Sequence, residues 1–286
     1  METKEINLGL RFSRIPAGEF RMGLECPPEE AAKRYGGEAN WYEPEQPAHR
    51  VKISRDYWLA TTHVTREQFA RFVKETNYRT VAEVEGSAQV WTGQKFEKLP
   101  AHDWRMPGFQ QGEDHPAVCV NHDDAIAFCQ WLGKRENKTF RLPTEAEWEY
   151  AYRAGTTTGY FWGNNPDDGH SFANAGDLTA KEKFPEWTTF NWHDGFVFTS
   201  PVASFVPNAW KLCDMAGNAW EWTSDWFAPY TSDDQTDPRG PNAGDKRVLR
   251  GGSWYGAPLS CRAAYRSRVP TGYRGSNVGF RVLMEE

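Results

Sequence analysis

The sequence predicts a single α+β domain spanning residues 1–286 and poor in regular secondary structure. Three observations predict it. Three capped helical segments fall in the first 155 residues, while the strand-like runs are short and scattered from the beginning of the chain to its end. The composition is aromatic rather than aliphatic, with 14 Trp, 11 Tyr and 17 Phe beside 25 Gly and 18 Pro. No repeat or low-complexity linker divides the 286 residues. A chain of this length buries roughly three quarters of the surface its unfolded form exposes. Aromatic side chains bury much area on few rotamers, so they can hold irregular backbone in place. Irregular backbone must also satisfy its polar groups with side chains, water or ions, so bound metal or buried water is expected.

The elements follow in chain order. Arg11 to Met22 reads as a hairpin turning at Pro16-Ala17-Gly18, and residues 23–49, rich in Glu, Pro and Gly, as a long loop. Val51–Ile53 and Tyr57–Ala60 are strand-like. Thr65 with Gln68 forms a capping box, and Phe69, Phe72 and Val73 mark the apolar stripe of the helix it opens. Residues 77–114 show no period and read as an excursion. Asn121 opens a second helix, with Asp123 and Asp124 at its positive end and Gly133 as its stop. Thr144 and Glu147 make another capping box, for a helix that ends at Gly155. From 156 to 246 no helix of length is expected. Val248–Arg250 and Phe280–Leu283 read as strands.

Charge excludes several partners. With 33 Lys+Arg against 39 Asp+Glu, the formal charge is -6. A nucleic-acid binder needs cations to neutralise phosphates, and an anionic membrane surface attracts them too. Neither partner is expected. Mean hydropathy is -0.76 and no apolar run approaches the roughly 20 residues of a membrane span. Met1 to Asn7 lacks the apolar stretch of a secretion signal, which leads to the expectation of a cytoplasmic, monomeric protein. Five cysteines, odd in number and without C-x-x-C, argue against a disulfide framework or structural zinc site.

Several motifs together carry a resemblance. They are Ile15-Pro16-Ala17-Gly18-Glu19-Phe20, His63-Val64-Thr65-Arg66-Glu67-Gln68-Phe69, Gly133-Lys134-Arg135 and the Arg141–Tyr150 run RLPTEAEWEY. The Gly217–Trp226 run GNAWEWTSDW, Arg250-Gly251-Gly252-Ser253-Trp254 and Gly279-Phe280-Arg281 complete the set. In order and along nearly the whole chain, they resemble the formylglycine-generating-enzyme family, also called sulfatase-modifying factor domains. The resemblance implies a variant of the C-type-lectin-like fold that binds calcium.

Calcium takes about six to eight oxygens from carboxylates, amides and carbonyls. The stretch from Asp214 to Glu221 offers two carboxylates and its own carbonyls, without the spaced acidic run of an EF-hand. The resemblance implies one ion at Asp214, the carbonyls of Gly217 and Ala219, and Glu221. It implies a second at Asn174, the carbonyl of Ala175, Asp194 and the carbonyl of Phe196. One or two calcium ions are therefore expected.

The resemblance weakens at the chemistry. Copper-dependent members hold Cu(I) between two cysteines spaced C-x4-C, shortly after the Gly-Gly-Ser motif, and soft thiolates suit that ion. Counted forward without gaps, Gly256 stands at the first cysteine and Cys261 at the second. Counted back from Gly279-Phe280-Arg281, Cys261 is shifted by several residues and matches neither. Copper is not expected. Ser253 and Cys261 are the candidate catalytic residues, although Gly251 to Tyr255 is not a G-x-S-x-G elbow. His122 with Asp124, joined by His170 or His193, has the composition of a two-His-one-carboxylate iron site; His122 also reads as an ordinary first-turn residue.

The segment between Gly251-Gly252-Ser253-Trp254 and Gly279-Phe280-Arg281 is rich in Tyr, Ser and Gly, the residues that binding surfaces favour. Trp254, Tyr255, Tyr265 and Tyr273 are the candidate ligand-binding residues. The segment is similar in place to the variable region of retroelement-diversified receptors of this fold. The reading is a non-copper member that binds a peptide or small ligand in the groove beside this segment. The alternatives are an O2-dependent oxidase of siderophore-maturation type and a formylglycine generator with an altered site.

Overall fold

A computed structural model describes all residues, Met1–Glu286. Strands β1 (Thr3–Glu5), β2 (Arg11–Ile15) and β3 (Gly18–Met22) come first, followed by helix α1 (Pro28–Tyr35). Then come β4 (His49–Ile53), β5 (Tyr57–Ala60), α2 (Arg66–Thr76), α3 (Val81–Glu85), and β6 (Ser87–Trp91) with β7 (Phe96–Pro100). The middle holds α4 (His122–Glu136), β8 (Phe140–Arg141), α5 (Glu145–Arg153) and α6 (Leu178–Lys183). The last part holds β9 (Trp220–Trp226), β10 (Gln235–Thr236), β11 (Arg247–Arg250), β12 (Ser267–Val269), β13 (Val278–Gly279) and β14 (Leu283–Met284). Helix accounts for 26% and strand for 21% of the chain, so about half is turn and irregular backbone. No helix is long and apolar enough to cross a membrane.

The two ends of the chain meet in one sheet of order β1-β2-β5-β14-β8, where β14 lies antiparallel between β5 and β8. A second sheet, β12-β11-β9-β13, carries the C-terminal segment, with β13 parallel to β9. Smaller sheets are β10-β4-β3 and the β6-β7 hairpin.

All three expected N-caps form. Thr65, Asn121 and Thr144 accept the amides of Gln68, Asp124 and Glu147, and each partner side chain reaches back, completing a capping box. Five expectations are corrected. Arg11–Met22 is not a hairpin: β2 pairs with β1 and β5, while β3 pairs with β4, so Pro16-Ala17 is a crossing between sheets. Residues 23–49 contain α1, and the 77–114 excursion contains α3 and the β6-β7 hairpin. Gly133 does not stop α4, which runs on to Glu136 and ends at Asn137 in the left-handed region. The stretch after 156 holds no helix longer than the six-residue α6, as expected, but it contains the seven-residue strand β9.

Two aromatic cores fill the space between the layers. One gathers Trp148, Tyr152, Tyr160 and Tyr42; the other gathers Phe12, Phe69, Phe128, Trp222 and Phe280. Inside them lie ion pairs. Glu149 on α5 is fully buried and accepts from Arg153 (2.7 and 2.9 Å), from the Gly23 amide (2.9 Å) and from Arg250 on β11. Burial alone would push its carboxyl up; the Arg153 and Arg250 guanidiniums outweigh burial and hold it below the usual range. A carboxyl lowered in the fold contributes stability that is present above its unfolded value of about 4.3 and lost as the pH falls through the folded value. Glu149→Ala strands two buried guanidiniums and is expected to cost about 3–5 kcal/mol in urea unfolding at neutral pH. That difference from wild type should shrink as the pH drops below about 4.

Candidate functional site

The chain that leaves β11 makes a tight reversal. Gly251 and Gly252 have φ of +99° and +78°, and a Cβ on Gly252 would lie 2.6 Å from the Cys261 sulfur. Only glycine meets both demands at Gly252. The reversal folds Ser253–Gly256 back against Cys261, so that a Cβ on Gly256 would lie 3.0 Å from the same sulfur.

Both candidate catalytic residues end up beneath the surface. Ser253 is fully buried; its Oγ accepts the Tyr255 amide at 3.3 Å and meets Asn277 Nδ2 at 3.5 Å. No base reaches this hydroxyl, which shapes the turn. Cys261 is also fully buried, and burial pushes its thiol up to about 12. A nucleophilic or metal-binding cysteine works as the thiolate, which this environment disfavours. All five cysteines are free; Cys119 and Cys129 sit in other hydrophobic clusters.

Above the turn lies an open cleft of about 1050 Å³. Its rim from Tyr255 to Ser260 comes from the predicted groove segment. The opposite walls come from the β6-β7 hairpin (Trp91, Phe96), the chain after α6 (Phe184, Trp187) and the end of α1 (Tyr35, with Trp41 beyond). Tyr255, 38% exposed, inserts its ring among Trp187, Trp91 and Phe96, with centroids 4.7, 4.8 and 5.3 Å away. Glu186 is the one charged side chain in the lining. Such a cleft has the size and apolar character of a small-molecule or peptide-side-chain site.

The four candidate ligand residues divide. Tyr255 and Tyr265 line the cleft. Trp254 is 0% exposed and packs below it on Phe198, Phe109 and Phe96, its indole donating to the Ser276 carbonyl at 3.2 Å. Tyr273 lies elsewhere, packed on the Phe69–Phe128 core, and its place in the groove is corrected. The walls at Trp41, Trp91, Phe96, Phe184 and Trp187 were missed because they come from stretches that read as loop. A signal was present: Trp91-Thr92-Gly93-Gln94-Lys95-Phe96 sets two aromatics across a glycine turn. His122 is buried against Trp222, and burial holds its imidazole down at about 4; His, Cys, Asp and Glu gather nowhere in threes as a metal cluster.

The two expected calcium loops touch through a bridge between Asn174 and Gly217, where a Cβ would lie 1.8 Å from the Asn174 carbonyl oxygen. At the Asp194 loop, the Asp194 carboxylate accepts the backbone amides of Phe196 at 2.6 Å and Ala175 at 3.0 Å. Asp177 lies against it and accepts the Asp194 amide. Burial, with the Asp177 charge beside it, pushes the Asp194 carboxyl well above the carboxylate range. Asn174 Oδ1 is buried without a partner. Two facing carboxylates, an orphaned amide oxygen and adjacent carbonyls are a donor set that suits a hard cation. At the second loop, Asp214 Oδ1 is likewise unpartnered, but Ala219 and Glu221 are already engaged, by His63 (2.8 Å to the Ala219 carbonyl) and Arg281 (2.6 Å to the Glu221 carboxylate).

Short strands, aromatic-packed irregular backbone and chain ends joined in one sheet define a C-type-lectin-like domain with a surface cleft. The chain belongs to the formylglycine-generating-enzyme family: the sulfatase-modifying factor enzyme 1-like domain matches residues 2–286. It is 36% identical to the mouse formylglycine-generating enzyme over 93% of this chain and 73% of that one. It is 32% identical to the bovine inactive C-alpha-formylglycine-generating enzyme 2 over 94% of this chain and 86% of that one. Among solved structures, PvdO from Pseudomonas aeruginosa is similar, with a TM-score of 0.75 and 27% identity, covering 100% of this chain and 98% of that one.

The burial difference across the turn is testable. Trp254→Ala is expected to cost about 3–5 kcal/mol, as for a core aromatic. Tyr255→Ala, at a half-exposed ring, should cost about 1 kcal/mol or less in the same thermal and urea melts.

Proposed function

We propose that this chain is a ligand-binding member of the family that takes a peptide or small molecule in the aromatic cleft and performs no copper-dependent thiol oxidation. The observation that carries the reading is the environment of Cys261. Its sulfur is sealed under the cleft floor, and the position that faces it is Gly256. One buried thiol facing a glycine supplies half of a two-thiolate Cu(I) site. The aromatic walls remain, and these are the groups that anchor bound ligands by area and stacking. The family resemblance to an inactive relative is consistent with binding without chemistry. The cleft has one carboxylate and no cation in its lining, which favours neutral or cationic ligands over nucleic acid or other polyanions. On this reading the protein acts as a monomer, in the cytoplasm.

Two measurements test it. A Cys-containing sulfatase peptide incubated with Cu(I)-loaded protein is expected to show no thiol-to-aldehyde conversion by mass spectrometry; conversion overturns the reading. A peptide library screened by tryptophan emission should yield binders whose affinity falls at least about tenfold in Tyr255→Ala and in Trp41→Ala, since anchor aromatics carry about 2 kcal/mol each. Both side chains are exposed, so the fold should survive the changes.

Calcium at Asn174, Ala175, Asp194 and Phe196 completes the proposal. Bound there, it would offset the Asp177 charge that lies beside Asp194 and favour the ionised form of the Asp194 carboxyl. An ion that binds only the folded state stabilises it by mass action. Excess chelator is expected to lower the melting temperature by several degrees in wild type and to have no further effect on Asp194→Asn. Equal melting with and without chelator in wild type contradicts the site.

A further inference from the structure

We infer that the loop from Asp214 to Glu221 is closed by hydrogen-bond donors of the protein itself, the Arg281 guanidinium and the His63 Nε2–H, and holds no metal ion. The family resemblance implies a calcium there, and the side chains present do not fit one. The Glu221 carboxylate is decisive. A carboxylate offers about four lone-pair sites. Arg281 Nη2 donates to Oε1 and Nε to Oε2, each at 2.6 Å. Trp148 Nε1 donates to Oε2 at 2.8 Å, and His63 Nε2 stands 3.4 Å from Oε1. All four sites face N–H groups.

Of the two carbonyls expected to ligate, that of Ala219 is engaged as well. His63 Nε2 donates to the Ala219 oxygen at 2.8 Å. Carbonyl and carboxylate oxygens only accept, so Nε2 carries the proton, and this N–H bridges the two groups that a calcium would have bridged. His63 is 0% exposed. Arg281 Nη2 also lies 3.3 Å from the Asp214 carbonyl, which brings a permanent positive charge against the first residue of the loop. Two side-chain atoms remain unpartnered, Asp214 Oδ1 and His63 Nδ1. Even with the Gly217 carbonyl, two oxygens and one nitrogen fall far short of the about six to eight oxygens calcium requires. The Asp194 loop shows the opposite balance: its two carboxylates have no Arg, Lys or His in ion-pair contact.

Calcium stoichiometry of chelator-stripped full-length protein, measured by equilibrium dialysis with calcium alone as probe, tests the inference. The expected count is one ion per chain, abolished in Asp194→Asn and retained in Asp214→Asn. A count of zero leaves the inference standing and overturns only the calcium proposal at Asp194. Two ions per chain, or a single ion lost in Asp214→Asn and kept in Asp194→Asn, overturns it. Where the variants fail to fold, imidazole 15N spectra of wild type decide: His63 should keep the Nε2-protonated tautomer and an unchanged shift from excess chelator to excess calcium. A calcium-dependent shift at His63 contradicts the inference.

Discussion

Guanidinium–carboxylate pairs buried between the C-terminal segment and the body of the domain are the constraint on which the rest of the structure depends. Arg250 reaches Glu149, Arg262 reaches Glu45, Arg266 reaches Glu145 and Arg281 reaches Glu221, with every partner at most 5% exposed. Arg274 adds Glu85 at the base of the β6-β7 hairpin. Buried pairs of this kind gain little net stability, because desolvation offsets their attraction, but a wrong pairing leaves a bare charge in a low-dielectric core. They therefore act on uniqueness. Each arginine hydrogen-bonds one carboxylate, with Arg250 also 3.8 Å from Glu145, and together they fix the path of a segment whose only strands, β12, β13 and β14, are two or three residues long. The cleft rim from Tyr255 to Ser260 hangs between two of these anchors, Arg250 and Arg262.

The same frame explains why Cys261 lies beneath the cleft floor. Arg262 follows Cys261 directly, and its bidentate grip on Glu45 at 2.5 and 2.9 Å pulls that stretch inward. Cys261 is drawn with it into the core that contains Tyr152 and Tyr160. What stays outside is aromatic surface. The site is thus one in which the scaffold shared with formylglycine-generating enzymes presents ring faces rather than thiolates.

How much of this was legible in the sequence depends on how local each feature is. The capping boxes at Thr65, Asn121 and Thr144 were readable because cap and partner sit three residues apart and the chemistry needs nothing else. The Pro16-Ala17-Gly18 turn was visible, but which strands pair across it is decided far away: β2 needs β5 and β3 needs β4, and that choice rests on burial of Phe12 and Ile15. The groove segment was legible from its Tyr, Ser and Gly content. Its opposite walls were not, because Trp41, Trp91 and Trp187 come from three distant stretches that only the tertiary fold brings together. The fate of Glu221 was hidden for the same reason. From spacing it is a loop carboxylate at the right distance from Asp214; His63, Trp148 and Arg281, which occupy it, are 158, 73 and 60 residues away, respectively.

If the arginine anchors determine the architecture, the irregular C-terminal segment must be as rigid as the regular sheets. Native-state amide hydrogen exchange reads this directly. The Ala263 amide donates to Gly159 and the Ser276 amide to Gln89 of β6, both far away in sequence, and neither donor lies in a strand. The account predicts that both exchange only through global unfolding, with protection equal to that of the β9 amides at the centre of their sheet. Exchange of Ala263 and Ser276 orders of magnitude faster than β9, by local opening of the segment, would contradict it.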